Sequence, residues 1–289
     1  MKFITKYQIK LPKRPSGSHK GQNGYVLAVG GSENYAGAIA LAGLAALRSG
    51  CDLVKIIAPE KVAWAINAYS PDLITLKLKD GNFKPSHFNT VKKTMQKFDV
   101  LLIGNGMGLS PETKKFCKKT INGIKKLKVI DADAIKSISM DDSKNSIITP
   151  HSKELEYFLI NSKINKLTIE KINNEKSIMK KSQQIKKVTQ KFLNKSNIIL
   201  LKGKIDAIIS KNKILFIKGG NAGMTKGGTG DVLAGLCAGF LAQSKDLMQS
   251  AINASYFNKK IGDILLKKKN GFTYLASDMV GEIKRIKTY

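Results

Sequence analysis

Gly219 to Gly235 reads GGNAGMTKGGTGDVLAG, and the most informative chemistry of the chain lies in it. Gly223, Gly227, Gly228 and Gly230 have no Cβ, so their backbone N–H groups can turn toward a ligand at close range. The pattern predicts a helix from Asp231 to about Ala242, whose positive dipole end points at the same place. A glycine-rich turn at a helix N-terminus is an anion hole. Asp231 at its mouth is misplaced beside a phosphate unless the carboxylate has a task, such as taking the proton of an attacking hydroxyl. The plainer alternative is an Asp that only caps the helix. Ala234, Gly235, Ala238 and Gly239 then form a small-residue face suited to close packing.

Outward from this stretch, short β-rich runs alternate with amphipathic helix-length segments. Tyr25 to Val29, Leu53 to Ala58, Leu73 to Leu76, Val100 to Ile103, Lys128 to Ile130, Ser146 to Thr149 and Ile198 to Leu201 read as strands. Gly37 to Ser49, Lys61 to Ala68, Phe88 to Lys97, Glu112 to Gly123, Lys153 to Leu159 and Ser177 to Leu193 have apolar residues at helical spacing. This alternation predicts an α/β fold, a mostly parallel sheet with helices on both faces and sites at the carboxyl ends of its strands. Asp206 to Ser210 and Ile214 to Ile217, joined by Lys211, Asn212 and Lys213, read as an antiparallel hairpin at the sheet edge. Helices follow near Leu247 to Asp263 and Ser277 to Ile286. With no Pro-, Gly- or Ser-rich linker and no repeat, residues 1–289 are expected to form a single domain.

Several loops at strand ends hold further candidates. Gly30 and Gly31 follow the first strand, as either a tight turn or a close approach to a ligand. Gly104, Gly106 and Gly108 resemble half a dinucleotide fingerprint but lack the ribose-binding acid at the right distance. Asp131 and Asp133 could serve Mg²⁺ or cap a helix. His151 follows Pro150 after a strand, and Lys202 and Gly203 end another, where an ammonium and backbone can meet phosphates. The Walker-type GxxxxGK[ST], GxSxG and HExxH patterns are absent.

The formal net charge is +29, from 50 Lys and Arg against 21 Asp and Glu. Arg occurs only at Arg14, Arg48 and Arg285, whereas base reading and bidentate phosphate recognition favour Arg. Aromatic stacking platforms are missing too, so a solvated Lys surface that steers a small polyanion fits better than a nucleic-acid binder. Cys51, Cys117 and Cys237 form no CxxC pair, which fits a reducing cytosol. The first residues contain no apolar signal region. The longest apolar run, Val232 to Ala242, is far short of the roughly 20 residues that span a bilayer.

GGTGD followed by an apolar small-residue helix resembles the ribokinase-like superfamily, and GNAGMTKGGTGDVLAG is similar to the signature of its NAD(P)H-hydrate dehydratases. HKGQNGYVLAVGGSENYAGAIALAGLAALRSG (His19 to Gly50), GNGMG (Gly104 to Gly108), DADAI (Asp131 to Ile135), TPHSKEL (Thr149 to Leu155), LKG (Leu201 to Gly203) and YLASDMV (Tyr274 to Val280) fall in the same order. The resemblance implies ADP- or ATP-dependent dehydration of NAD(P)H hydrate, a hydro-lyase reaction, with Mg²⁺ and the nucleotide as co-substrate. It makes Asp231 the catalytic base and Gly227, Gly228, Thr229 and Gly230 the anion hole. Ala38, Gly106, His151 and Asp231 would contact the hydrated cofactor. Lys202, Gly203, Lys204, Ile205, Asp206 and Gly230 would bind the nucleotide, with Asn221 and Glu154 in support. Metal ligands stay unassigned.

Two positions depart from the family pattern. Relatives commonly carry Lys-Gly-x-x-Thr where this chain ends in Asp206, and Lys226 stands where they often have Ser or Thr, which predicts an extra cation beside the anion hole. The resemblance further implies a cytoplasmic homo-oligomer, such as a tetramer, without membrane or nucleic-acid partners. Many relatives carry an amino-terminal epimerase domain. Too few residues precede Tyr25 to hold one, so a separate epimerase is expected. The rival readings are a hydroxymethylpyrimidine- or sugar-type kinase and a nucleotide-binding regulatory relative.

Overall fold

The computed structural model describes residues 2–285, so the predicted end of the last helix at Ile286 lies outside the described residues. Nine strands form one sheet: β1 Tyr25–Val29, β2 Leu53–Pro59, β3 Ile74–Leu78, β4 Val100–Ile103, β5 Leu127–Ile130, β6 Ser146–Ile148, β7 Ile198–Leu201, β8 Asp206–Ile209 and β9 Ile214–Ile217. Their order is β3-β2-β1-β4-β5-β6-β7-β8-β9. The pairs from β3 to β7 are parallel. The expected hairpin β8–β9 is antiparallel, and β8 also runs antiparallel to β7.

The helices are α1 Ala36–Arg48, α2 Glu60–Tyr69, α3 Phe88–Met95, α4 Pro111–Gly123, α5 Ala132–Ile135, α6 Ser152–Asn161, α7 Lys166–Asn174, α8 Ile178–Val188, α9 Gln190–Leu193, α10 Thr229–Ser244, α11 Leu247–Lys268 and α12 Ala276–Glu282. Strand alternation sorts the core. Val26 and Ala28 point into one apolar layer, shared with α1, α2, α10, α11 and α12. Leu27 and Val29 point into the other, shared with α3 to α9. This is why the central strands read as unbroken apolar runs.

The β9 edge is covered by the chain's own start. Ile4 N donates to Phe216 O at 2.8 Å, and Phe216 N donates to Lys2 O at 3.0 Å. That pairing removes a free edge that could recruit another strand. Cys51, Cys117 and Cys237 are buried free thiols. Among the described residues, no helix is long and apolar enough to cross a membrane.

Several predicted helices shift at their ends, with α11 running on from the predicted Asp263 to Lys268, and two of the differences have a local cause. Ser177 to Leu193 is interrupted at Thr189, whose Oγ1 donates to Ile185 O at 2.7 Å, so α8 ends and α9 begins there. The helix expected to start at Asp231 starts at Thr229, because Gly228 at φ 92° supplies the turn into it two residues earlier.

The small-residue face of α10 packs directly on α1. A Cβ at Gly235 would collide with Ala42 O, and one at Gly239 would collide with Ser49 Oγ and stand 2.6 Å from Ala46 O. The obstacles include backbone, which cannot rotate away. Gly239→Ala should therefore lower stability by about 1–3 kcal/mol in thermal or denaturant unfolding. Gly281→Ala, where a Cβ meets nothing within 4 Å, should leave it unchanged or slightly raised.

Candidate active site

The carboxyl ends of β1, β4, β5, β6 and β7 converge on the N-terminus of α10, and nearly every predicted site residue lies there. Asp231 is the third residue of α10, and the cap position before the helix is held by Gly228. The Asp231 Oδ1 accepts from Asn105 Nδ2 at 2.6 Å. Burial, reinforced by the charge of Asp131, pushes its pKa up to about 7, with the Asn105 bond and Lys202 working in the other direction. A carboxyl that titrates near neutrality can hold or release a proton under ordinary conditions.

Lys202, at the end of β7, sits between two carboxylates. Its Nζ lies 3.0 Å from Asp131 Oδ1 and 3.4 Å from Glu154 Oε2. Burial opposes its charge, but the two acids outweigh burial and hold its pKa above the usual lysine value. It is also next to the glycine-rich turn, because a Cβ on Gly230 would stand 3.4 Å from Nζ. Asp131 additionally accepts from Thr149 Oγ1 at 2.6 Å and from Asn105 Nδ2 at 3.0 Å. Although it occupies the cap position of α5, its side chain does not cap. Asp133 is the structural member of that pair, accepting from Gly108 N at 2.9 Å and bridging to Lys136.

Ala38 and Gly106, sixty-eight positions apart in sequence, are neighbours: a Cβ on Gly106 would lie 3.0 Å from Ala38 Cβ. Gly106 has φ 66°, which favours glycine, and Tyr35 O would stand only 2.7 Å from an added Cβ. Gly30 and Gly31 pack against the backbone of the β4 loop, so their need for glycine is met by the chain's own packing. Gly31 N donates to Asn105 O at 2.8 Å, and a Cβ on Gly30 would come within 2.5 Å of the same oxygen.

His151 has a structural role at the start of α6. Its Nδ1 accepts from Lys153 N at 3.1 Å and Glu154 N at 3.3 Å, so the ring caps α6. Glu154 Oε2 accepts in return from His151 N at 2.9 Å. This reciprocal box leaves a half-exposed imidazole with Nε2 facing Glu154 Oε1 at 3.4 Å. Burial and Lys202 together outweigh the pull of Glu154 and lower its pKa, which suits the neutral ring that Nδ1 acceptance requires.

In the 202–206 loop, Gly203 and Lys204 are exposed. Asp206 is turned inward: it accepts from Gly203 N at 3.0 Å and Ser255 Oγ at 2.7 Å, and pairs with Lys259 at 3.2 Å. Burial raises its pKa despite these partners. Its carboxylate shapes the loop, with Lys259 Nζ donating to Gly203 O at 2.9 Å. Asn221 likewise organises backbone, accepting from Gly223 N at 3.0 Å and Tyr274 OH at 2.7 Å. The Lys226 ammonium donates to the carbonyls of Phe272 and Tyr274 and so ties the 272–274 segment to the glycine-rich turn.

Sequence reasoning missed Asn105, Thr149 and Lys259. Asn105 lies inside the quoted GNGMG, whose glycine spacing resembles half a dinucleotide fingerprint and gives no role to the side chain that reaches Asp231. Thr149 opens the quoted TPH motif, and Lys259 is an ordinary Lys among many. Among the described residues, no three His, Cys, Asp or Glu side chains converge as a metal cluster.

The family model for NAD(P)H-hydrate dehydratase matches residues 26–285. The chain is 38% identical over 279 residues to the bifunctional NAD(P)H-hydrate repair enzyme Nnr of Methanocaldococcus jannaschii, a match covering 96% of this chain and 50% of that protein. It spans about half the length of the first such curated relatives. It is 32% identical over 293 residues to the ADP-dependent (S)-NAD(P)H-hydrate dehydratase of Nitrosopumilus maritimus, covering 99% and 96%. The fold is shared with the Bacillus subtilis ADP/ATP-dependent NAD(P)H-hydrate dehydratase co-crystallised with ATP/Mg²⁺, at TM-score 0.78 and 22% identity over 98% of this chain and 96% of that one. With the model matching from β1 to the end of the described residues, the chain belongs to the NAD(P)H-hydrate dehydratase family.

Proposed function

We propose that this chain dehydrates the S epimer of NADH or NADPH hydrate to the working cofactor, with ADP or ATP as co-substrate. The observation that carries the reading is Asp231: a carboxyl titrating near 7, in the first turn of a glycine-fronted helix, with Lys202 beside it. The N. maritimus relative is named as ADP-dependent, and the B. subtilis neighbour was crystallised with ATP/Mg²⁺.

Hydroxide leaves the reduced ring poorly, and phosphorylation corrects this. Asp231 takes the proton of the ring hydroxyl as its oxygen attacks the terminal phosphorus of the nucleotide, whose bond to the bridging oxygen breaks to release AMP from ADP or ADP from ATP. The N–H groups of Gly227 to Gly230 and the Lys202 ammonium stabilise the charge that develops on the transferred phosphoryl group. The ring nitrogen's lone pair then expels phosphate, and loss of the adjacent ring proton restores the double bond. Mg²⁺ bound with the nucleotide would supply neutralisation of the phosphate charge. Gly203 to Ile205 and Gly230 line the nucleotide side, and Asp206 keeps that loop in shape. Ala38, Gly106 and His151 bound the hydrated ring, with Glu154 and Asn221 holding the segments that present them.

The direct test follows the near-ultraviolet absorbance of reduced nicotinamide. NADH hydrate with Mg²⁺ should regain it only when ADP or ATP is added; recovery at the same rate without nucleotide would sink the mechanism. A phosphorylated sugar or pyrimidine, with no action on the hydrate, would select the kinase reading instead.

Asp231→Asn keeps shape and removes the base, so turnover should fall by roughly 10² to 10⁴-fold. The wild-type rate should have an acidic limb near pH 7 that this variant lacks. The stability sign is opposite. A raised folded pKa means that Asp231 favours the fold below its unfolded value, an advantage lost as pH rises toward 7. At pH 8 the variant should therefore melt at or above the wild-type temperature, and a large loss of stability there would contradict the assignment.

His151→Asn retains capping ability while removing the imidazole. The Michaelis constant for the hydrate should rise with stability preserved. An unchanged constant would leave His151 as a helix cap alone.

A further inference from the structure

The side-chain amide of Asn105 joins two carboxylates from different parts of the fold. Nδ2 donates to Asp231 Oδ1 at 2.6 Å and to Asp131 Oδ2 at 3.0 Å, so both of its hydrogens are engaged. The amide oxygen is buried with no hydrogen-bond partner. An unpaired buried carbonyl is costly. Turning the amide over would give no relief, because its oxygen would then face the two carboxylates.

The backbone holds this amide in place. Asn105 O accepts from Gly31 N at 2.8 Å, which ties the β4 loop to the β1 loop. Gly104 before it has φ 126°, and a Cβ there would collide with Asp131 O. On its far side Asp131 is fixed by Lys202 at 3.0 Å and Thr149 at 2.6 Å. Asp231 has no hydrogen-bond partner other than Asn105 among the described residues, which leaves its second oxygen free. The charged groups acting on Asp231 are Asp131 and Glu154, which oppose its ionisation, and Lys202, which favours it.

We propose that Asn105 is a positioning residue for the reaction: its amide keeps Asp231 and Asp131 apart and holds one oxygen of Asp231, leaving the other to take the proton of the substrate hydroxyl. This deepens the proposed function and rests on Asp231 being the base. Removing the donor takes a stabilising bond from the ionised carboxylate and brings it under the unrelieved charge of Asp131, so Asp231 should ionise at higher pH. A residue that merely fills space would not have that signature.

The test compares wild type with Asn105→Ala and the near-isosteric Asn105→Asp, each checked for an intact fold by circular dichroism and melting. Carbon-13 NMR of Asp-labelled protein, without substrate, follows the Asp231 carboxyl, identified by its absence in Asp231→Asn. Both variants should raise its titration midpoint by about one unit or more. In the hydrate assay, kcat/KM of Asn105→Ala should drop about tenfold or more at neutral pH and return toward wild type at alkaline pH, with the nucleotide KM unchanged. An unmoved midpoint in folded variants, or a loss equal at every pH, would overturn the proposal. If the wild-type protein does not dehydrate the hydrate, the proposed function fails, while the NMR titration still decides whether Asn105 controls Asp231.

Discussion

The close approach of α10 to α1 is the constraint on which the rest of the molecule depends. Gly235 and Gly239 have no room for a Cβ because Ala42 O, Ala46 O and Ser49 Oγ occupy it. That contact lets the apolar α10 lie almost wholly buried beside α1, with its N-terminus brought to the carboxyl ends of the strands. A looser pair of helices would leave the first turn of α10, and with it Asp231, out of reach of Asn105. Packing of small residues on one face of the sheet thus sets the position of an ionisable group at its rim.

The electrostatics of that rim are unbalanced. Asp131, Glu154 and Asp231 are gathered around one ammonium, Lys202. Two of the three acids are paired with that cation, and the third is left with an amide. Burial, reinforced by the charge of Asp131, is what moves the Asp231 carboxyl toward neutral pH, whereas Asp52, with Arg14 and three backbone or amide donors opposing its burial, is held below the usual range. Around this acidic centre the chain carries a strong excess of Lys, whose long-range field favours the approach of polyanions such as nucleotides and dinucleotides.

Much of the chain's architecture was legible in the sequence because its signals are local. Strands buried on both faces must be apolar at every position, so Val100 to Ile103 and Ile198 to Leu201 announce themselves, as does the polar loop between β8 and β9. The glycine-rich turn before α10 is equally local, since only backbone without Cβ accepts φ 92° at Gly228. The family motifs extended this to the site, naming Asp231, Lys202 and His151 at their positions. The interruption at Thr189 escaped notice because a single hydroxyl competing for Ile185 O does not disturb apolar periodicity.

What the sequence determined by itself was therefore the βα alternation, the edge hairpin, the glycine-rich turn before α10 and the list of candidate groups. The tertiary structure alone decided what those groups do to one another. Asn105 and Asp231 are 126 positions apart, and Lys202 and Asp131 are 71 apart. No local pattern records that an amide will lie between two carboxylates, that Asp206 will face Ser255 and Lys259, or that Lys226 will reach the carbonyls of the 272–274 loop. Hydrogen bonding and pKa depend on distances of a few ångströms and on exclusion of water, and both come into being only when strands remote in sequence are brought side by side.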